Sequence, residues 1–312
     1  MGAKAKDAET SFEAHRAHLT GLAYRMLGSL AEAQDVVQDS YLRWHQARAR
    51  EQVEDLRAFL SKTVTRLCLD HLKSARARRE LYLGPWLPEP VFDHEALAAK
   101  APSEYALDVS VALMLTLERL SPLERAAFLL HDVFDVGFDE VAGILDRKAA
   151  SCRQLAARAR ARVRASRPRF RVSPQQCERL AAAFGAAVQN GDAHAIAALL
   201  ARDAVFYSDG GGKVVAALRP IRGRNRIARL LASLSRKTPV SDRGLRPSRI
   251  NGLPGFMVEL QTGAIATVAM NFGDDLIASI YLVINPDKLR HVRPNQVDAS
   301  SGGAEPGNPG SV

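Results

Sequence analysis

Cysteine is scarce: three residues in 312, at positions 68, 152 and 177, with no C-x-x-C pair and no Cys/His cluster. That scarcity argues against a disulfide framework and against a clustered metal site, so buried free thiols in a reducing compartment are expected. Long apolar runs are also missing. No stretch approaches the length that spans a bilayer, and the polar opening MGAKAKDAET lacks the character of a signal peptide. A cytoplasmic protein with no membrane partner is expected. There is no internal repeat. Negative charge is absent from one place in particular: between Arg147 and Arg171 lie ten Lys or Arg residues and no Asp or Glu. The whole chain carries +9 with a pI near 9.7, which favours an anionic partner. Yet residues 1–172 hold 27 basic and 23 acidic side chains, so the electrostatics is one of patches.

A helix-turn-helix pattern runs into that basic stretch. Residues 138–145 read as a short first helix, Asp146-Arg147-Lys148 as the turn, and Ala149 to Arg164 as a second helix. Cys152, Leu155, Ala156, Ala159 and Val163 recur three or four apart and share one face. Ser151, Arg153, Gln154 and Arg158 then point outward. Polar forks at a helix N-terminus with positive charge beyond suit a DNA major groove, whereas a charge run alone is commonly a solvated face.

Upstream, residues 11 to about 82 read as a helical unit. Its first helix aligns Leu19, Leu22, Ala23, Met26 and Leu27. A second, opened by a capping box at Ser29-Leu30-Ala31-Glu32, buries Ala33, Val37 and Trp44. A third, from Asp55 to about Arg79, aligns Leu56, Leu60, Val64 and Leu67 and ends in a basic run. Residues 83–105 break the period: Leu83-Gly84-Pro85-Trp86-Leu87-Pro88-Glu89-Pro90 is extended or turning. Trp86 and Leu87 are poor solvent residues and are expected to dock. Helical pattern resumes near Leu107, with a second capping box at Ser121-Pro122-Leu123-Glu124. From Ser173 two helices lead into a strand at Ala204–Ser208. A turn at Asp209–Lys213, a paired strand at Val214–Leu218, a helix from Gly223 and four further strands follow. Helices first and an antiparallel sheet after give an α+β layout. The Gly/Pro/Ser-rich end, 291–312, is expected to be disordered.

Several of these motifs resemble those of bacterial sigma factors. Residues 31–41 (AEAQDVVQDSY) are similar to the region 2.2 helix; Leu56–Leu60 and Leu69–Lys73 look like regions 2.3 and 2.4; Leu117–Arg125 looks like the opening of region 4. With two such domains the chain resembles the extracytoplasmic-function class. The Trp86–Pro90 linker, the Asp209–Lys213 turn and Asn285-Pro286-Asp287-Lys288-Leu289 resemble signatures of a subgroup with a SnoaL-like (NTF2-like) domain fused behind region 4. The resemblance implies a multidomain fold: region 2 as an all-α bundle (11–82), region 4 as an all-α helix-turn-helix unit (106–170), and an α+β NTF2-like cone (173–290).

The same resemblance assigns roles. Glu32, Asp35 and Asp39, one stripe on the second helix, would dock the clamp helices of the largest subunit of core RNA polymerase, with the flap as a further contact. Arg57, Lys62, Arg66, Lys73, Arg76, Arg78 and Arg79 would bind the −10 element, with the loop around 47–54 beside them. Ser151, Arg153 and Gln154 would reach −35 bases and Arg158 a phosphate; Arg160, Arg162 and Arg164 bind phosphates or keep the helix soluble. Trp86, Leu87, Pro88, Glu89 and Pro90 would dock on Asp209, Gly210, Gly211, Gly212 and Lys213. Asn285, Pro286, Asp287, Lys288 and Leu289 would form a second regulatory contact between domains. Asp146 stands where the family's turn often has glycine, and Asp tolerates the left-handed conformation.

SnoaL-like folds include cyclases and isomerases that use an Asp or His base. Asp203, Asp209, His194 and Glu259 are the candidates here, each in a setting with an ordinary cap or turn role. The expectation is therefore a sigma factor, not an enzyme, with no cofactor or metal, modulated in cis by its last domain. A small-molecule ligand of the cone is an open question. The rival readings are a helix-turn-helix regulator with a ligand-sensing domain, and a SnoaL-type cyclase or isomerase with a DNA-binding appendage.

Overall fold

The computed structural model describes residues 2–48, 55–80, 82–92, 97, 108–166, 172–237 and 240–292; for 2–10, 47–48, 74–80, 166 and 240–243 it describes the backbone alone. The helices α1 (Gly2–Leu27), α2 (Leu30–Arg48) and α3 (Leu56–Glu80) form the first unit. Every apolar position expected inside α1 and α2 is buried, as are Leu60, Val64 and Leu67 of α3.

The second unit comprises α4 (Val111–Glu118), α5 (Pro122–Phe128) with a π-helical continuation over Leu129–Val133, α6 (Phe138–Leu145) and α7 (Ala149–Ser166). Helix α4 starts at Val111, where the Ser110 side chain caps the backbone N–H of Leu113; Leu107 lies outside the described residues. The box at Ser121 and Glu124 closes in both directions, with Pro122 in the first turn. Asp146 takes the left-handed conformation at the end of α6 (φ 53°), as expected of the turn. The two helical units share one apolar core, so they form a single packed body among the described residues.

The third unit begins with α8 (Pro174–Gln189) and α9 (Ala193–Leu199). Strand β1 (Leu200–Asp209), the short β2 (Ile221–Arg222) and α10 (Arg224–Lys237) follow, and then β3 (Val240–Ile250), β4 (Leu253–Leu260), β5 (Ile265–Gly273) and β6 (Leu276–Val283). The strand order is β2-β1-β6-β5-β4-β3. Two expectations change. The sheet is mixed, because β1 runs parallel to β6. Val214–Leu218 is not a strand: Val205 and Phe206 pair with β2, and the intervening segment folds as a loop. Gly210 explains the geometry, since a Cβ there would lie 2.2 Å from the Val214 carbonyl oxygen.

The two-residue period of the strands sends side chains to two different cores. Phe206, Phe256, Met270 and Ile280 face the helices α8–α10. Ile250, Met257, Ala269, Tyr281 and Val283 face the other way and meet Leu87 of the linker, Val111 of α4, and Leu289 and Val292 beyond β6. His291 and Val292, placed by sequence in the disordered tail, therefore belong to the packed body. The rest of that tail lies outside the described residues.

Candidate functional site

Asp209, the last residue of β1, is fully buried. Its Oδ1 accepts from Tyr82 Oη (2.5 Å) and from the Gly211 N–H (3.0 Å). Its Oδ2 accepts from the Leu87 N–H (2.8 Å) and Lys288 Nζ (2.7 Å). A buried carboxylate is tolerated when it is paired and saturated with donors, and this one is both. Lys288 also donates to the Leu87 carbonyl oxygen and stands 4.4 Å from the Trp86 ring centroid. Asn285 Nδ2 donates to Tyr82 Oη (2.9 Å), and Lys213 pairs with Asp287 at 2.5 Å. Gly211, at φ +62°, leaves room for Asn285; a Cβ would lie 2.3 Å from its amide nitrogen. Burial and the adjacent Asp209 carboxylate push the Tyr82 phenol pKa well up. The linker, turn and C-terminal motifs read from the sequence thus converge on one buried charge pair.

Trp86 presses on Gly28 at the α1–α2 corner. Gly28 has φ +72°, and a Cβ there would lie 2.3 Å from the indole ring. Three residues on, Glu89 Oε2 accepts from Ser29 Oγ (2.8 Å) and from the N–H groups of Leu30 (2.7 Å) and Ala31 (3.3 Å). The capping box expected within Ser29–Glu32 therefore has a carboxylate from the linker at the start of α2, where the helix dipole favours negative charge. Ser29 Oγ still accepts from the Glu32 N–H. His291 Nδ1 lies 3.0 Å from Glu89 Oε1, and its Nε2 lies 2.8 Å from the Pro90 carbonyl oxygen. Burial disfavours the charged Glu89, but His291, Ser29 and the Ala31 N–H outweigh it and lower its pKa. Burial likewise disfavours the imidazolium, yet Glu89 and the Pro90 carbonyl raise the His291 pKa.

A third centre was not visible in the sequence reading. Asn251, buried and left-handed (φ 52°) in the β3–β4 turn, bonds all three units at once. Its Nδ2 donates to Tyr24 Oη in α1 (2.6 Å) and to the Val109 carbonyl before α4 (3.1 Å). Its Oδ1 and backbone N–H bond Val91 of the linker. The Tyr24 hydroxyl in turn donates to the Glu89 backbone carbonyl (2.8 Å). The available signal in the sequence is the Asn251-Gly252 dipeptide, a turn pair.

Along α2, Asp35 and Asp39 are exposed and Glu32 is half-buried. On α3, Arg57 is exposed, Lys62 half-buried, and Lys73 pairs with Asp70 at 2.8 Å. Arg66 donates to the Ile144 carbonyl of α6 (3.3 Å), which joins this face to the helix-turn-helix. The side chains of Arg76, Arg78 and Arg79, and the 49–54 loop, lie outside the described residues. On α7, Arg153 and Gln154 are exposed, Ser151 is half-buried, and the Arg153 guanidinium stands 5.5 Å from the Phe138 ring centroid. Arg158 and Arg162 both pair with Glu124 (3.0 and 2.9 Å), and Arg160 with Asp132 (2.6 Å). These three arginines brace the helix against α5 and its continuation. Arg158, 58% exposed, still faces solvent. Among the enzyme candidates, Asp209 is consumed by the linker and no cluster of potential metal ligands occurs among the described residues. No helix of the described residues is long and apolar enough to cross a membrane.

Comparison with known proteins agrees with this geometry. A family model described as Sigma-70 region 2 matches residues 11–78, and one described as Sigma-70, region 4 matches residues 110–163. The ECF RNA polymerase sigma factor SigJ of Mycobacterium tuberculosis is 37% identical over 294 residues, covering 90% of this chain and 92% of that protein. The probable ECF RNA polymerase sigma factor SigI of the same species is 31% identical over 288 residues, covering 91% and 95%. The crystal structure of M. tuberculosis SigJ superposes with a TM-score of 0.72 at 33% identity, covering 90% of this chain and 98% of that one.

Proposed function

The chain belongs to the extracytoplasmic-function RNA polymerase sigma factors, with an NTF2-like domain behind region 4, and on that premise we propose that the NTF2-like domain acts as a clasp on the two promoter-recognition domains. A sigma factor directs core RNA polymerase to a promoter and recognises its −10 and −35 elements. Those elements are centred about 25 base steps apart, on the order of 85 Å along B-form DNA. Here Arg66 of the −10 face bonds the helix-turn-helix itself, and Arg125 of region 4 donates to the Met26 carbonyl of region 2 (2.5 Å). Such packing fits a resting state in which the two surfaces are too close to engage both elements. Opening requires the linker to change its docking.

The observation that carries this reading is the buried Asp209, whose carboxylate holds Tyr82, Leu87 and Lys288 together. In the open state Glu32, Asp35 and Asp39 dock the clamp helices of the largest polymerase subunit, region 4 meets the flap, Arg57, Lys62, Arg66 and Lys73 face the −10 strand, and Ser151, Arg153 and Gln154 read the −35 duplex. Glu89 ties the clasp to the polymerase-binding surface, because it caps the helix that carries the acidic stripe.

The test is promoter-directed transcription with core polymerase, comparing full-length protein with chains cut after Val292 and after Arg171. Output that changes with the cuts supports the clasp; identical output from all three removes it. Reversing charge at Glu32, Asp35 and Asp39 should abolish core binding while duplex binding by residues 138–165 persists. If core binding survives the reversal, the assignment of that stripe fails.

A further inference from the structure

The longest acid-free stretch on the NTF2-like domain begins at the turn beside the linker and runs on through α10. Residues 210–237 hold eight Lys or Arg and no Asp or Glu. The fold gathers three of them, Arg222 from β2 and Arg224 and Arg226 from the start of α10, with Arg202 of β1 around a hollow of about 280 Å³. All four are exposed, and among the described residues no acidic side chain pairs with any of them. By contrast Arg125, Arg158, Arg160 and Arg162 of region 4 each hold a carboxylate. Gly223 lies among the four at φ +92°, and a Cβ there would meet nothing within 4 Å, so no side chain fills the space beside it. Helix α10 opens at the same point with no acidic residue in its first turn, which leaves the positive end of its dipole uncompensated.

We propose that this hollow is an anion site for a small ligand bearing two linked phosphoryl groups. Four like charges repel one another, and planar guanidinium forks match phosphoryl oxygens in pairs. A phosphoryl group carries about −1.5 to −2 charges, so two of them balance the four arginines where one does not. The arginines come from three elements and surround a concavity near the lower end of the size range of small-molecule sites, roughly 300–1,000 Å³. A duplex backbone would instead be met by a flat or ridged stripe. The site is separate from the Asp209 clasp and does not depend on it.

Titration calorimetry of the full-length protein with inorganic pyrophosphate tests the proposal. The expected result is one saturable site, with orthophosphate binding roughly tenfold weaker or worse. The double variant R222Q/R224Q should lose about tenfold or more in affinity, and R229Q, on the same helix but outside the hollow, less than about twofold. All these side chains are exposed, and unchanged circular dichroism and thermal unfolding would establish that the variants fold. Absence of saturable pyrophosphate binding overturns the site, as does equal binding by wild type and double variant. Binding of duplex DNA through these arginines without pyrophosphate binding also overturns it and marks a nucleic-acid face instead.

Discussion

Between regions 2 and 4 the contact is mostly apolar, within one core that runs from Phe12 to Val163; Phe134 sits edge-on to His18 at 4.7 Å and under the Arg25 guanidinium at 5.6 Å, and Arg125 adds one buried bond to the Met26 carbonyl. Between the linker and the sheet an apolar layer is also present, but Asp209, Lys288, Asn285, Glu89 and Asn251 are set into it with their partners satisfied. The difference is one of specificity. Apolar burial is non-directional and tolerates sliding, whereas a buried polar group is stable in one register and expensive in every other. The seam gives the helical units a common core; the junction fixes which face of the sheet they meet.

Asp209→Ala should break the junction most severely, because it takes the only carboxylate described beside the mostly buried Lys288 ammonium, at a cost of about 3–5 kcal/mol to linker docking. Hydrogen exchange over residues 82–92 should rise sharply while α1 and α5 keep their protection; equal loss of protection in both would erase the contrast between seam and junction. Asn251→Ala should cost about 2–4 kcal/mol, since the Tyr24 hydroxyl, the Val109 carbonyl and the Val91 N–H each lose a partner in a buried setting. Limited proteolysis at the linker is the readout, and unchanged cleavage would show that Asn251 fills space rather than fastening three units.

The Glu89–His291 contact sharpens the comparison through pH. His291 is held above its ordinary 6.5, so its contribution is complete below that value and is lost as pH rises through the raised pKa. Glu89 is held below its ordinary 4.5, so its contribution is complete above that value and is lost as pH falls through the lowered pKa. Docking should be firmest between about 4.5 and 6.5, and Glu89→Gln should flatten the profile and cost about 1–2 kcal/mol. Trp86 fluorescence across the range checks both. Smallest of all, Arg66→Gln removes one long bond from an exposed side chain at the seam. It should shift stability by less than about 1 kcal/mol, measured as the urea midpoint, because the apolar core carries that contact.

Much of this architecture could be read from residue spacing. The periodicity of α1, α2 and α7 gave their buried faces directly, since a helix must hide its apolar stripe whatever it packs against. The Trp86–Pro90, Asp209–Lys213 and Asn285–Leu289 motifs meet around the buried Asp209 carboxylate. What spacing could not give was pairing between distant segments. Nothing local shows that the carboxylate at the start of α2 comes from Glu89, sixty residues away. Nor does anything local show that Arg158 and Arg162, apparent DNA ligands, share Glu124. The Val214–Leu218 strand was expected because alternating apolar residues follow a glycine turn, yet Ile221–Arg222 takes the place beside β1 and leaves Val215 97% exposed.

Asn251 also sets an order of events during synthesis. Its partners Tyr24 and Val109 lie 227 and 142 positions upstream. A ribosome working at about 5–20 residues per second needs roughly 6–25 seconds to go from the end of region 4 to Lys288. Throughout that interval regions 2 and 4 have been made and their fastening has not. Each newborn molecule therefore has a period, ended by translation of its own last strands, in which the promoter-recognition domains exist without the domain that holds them.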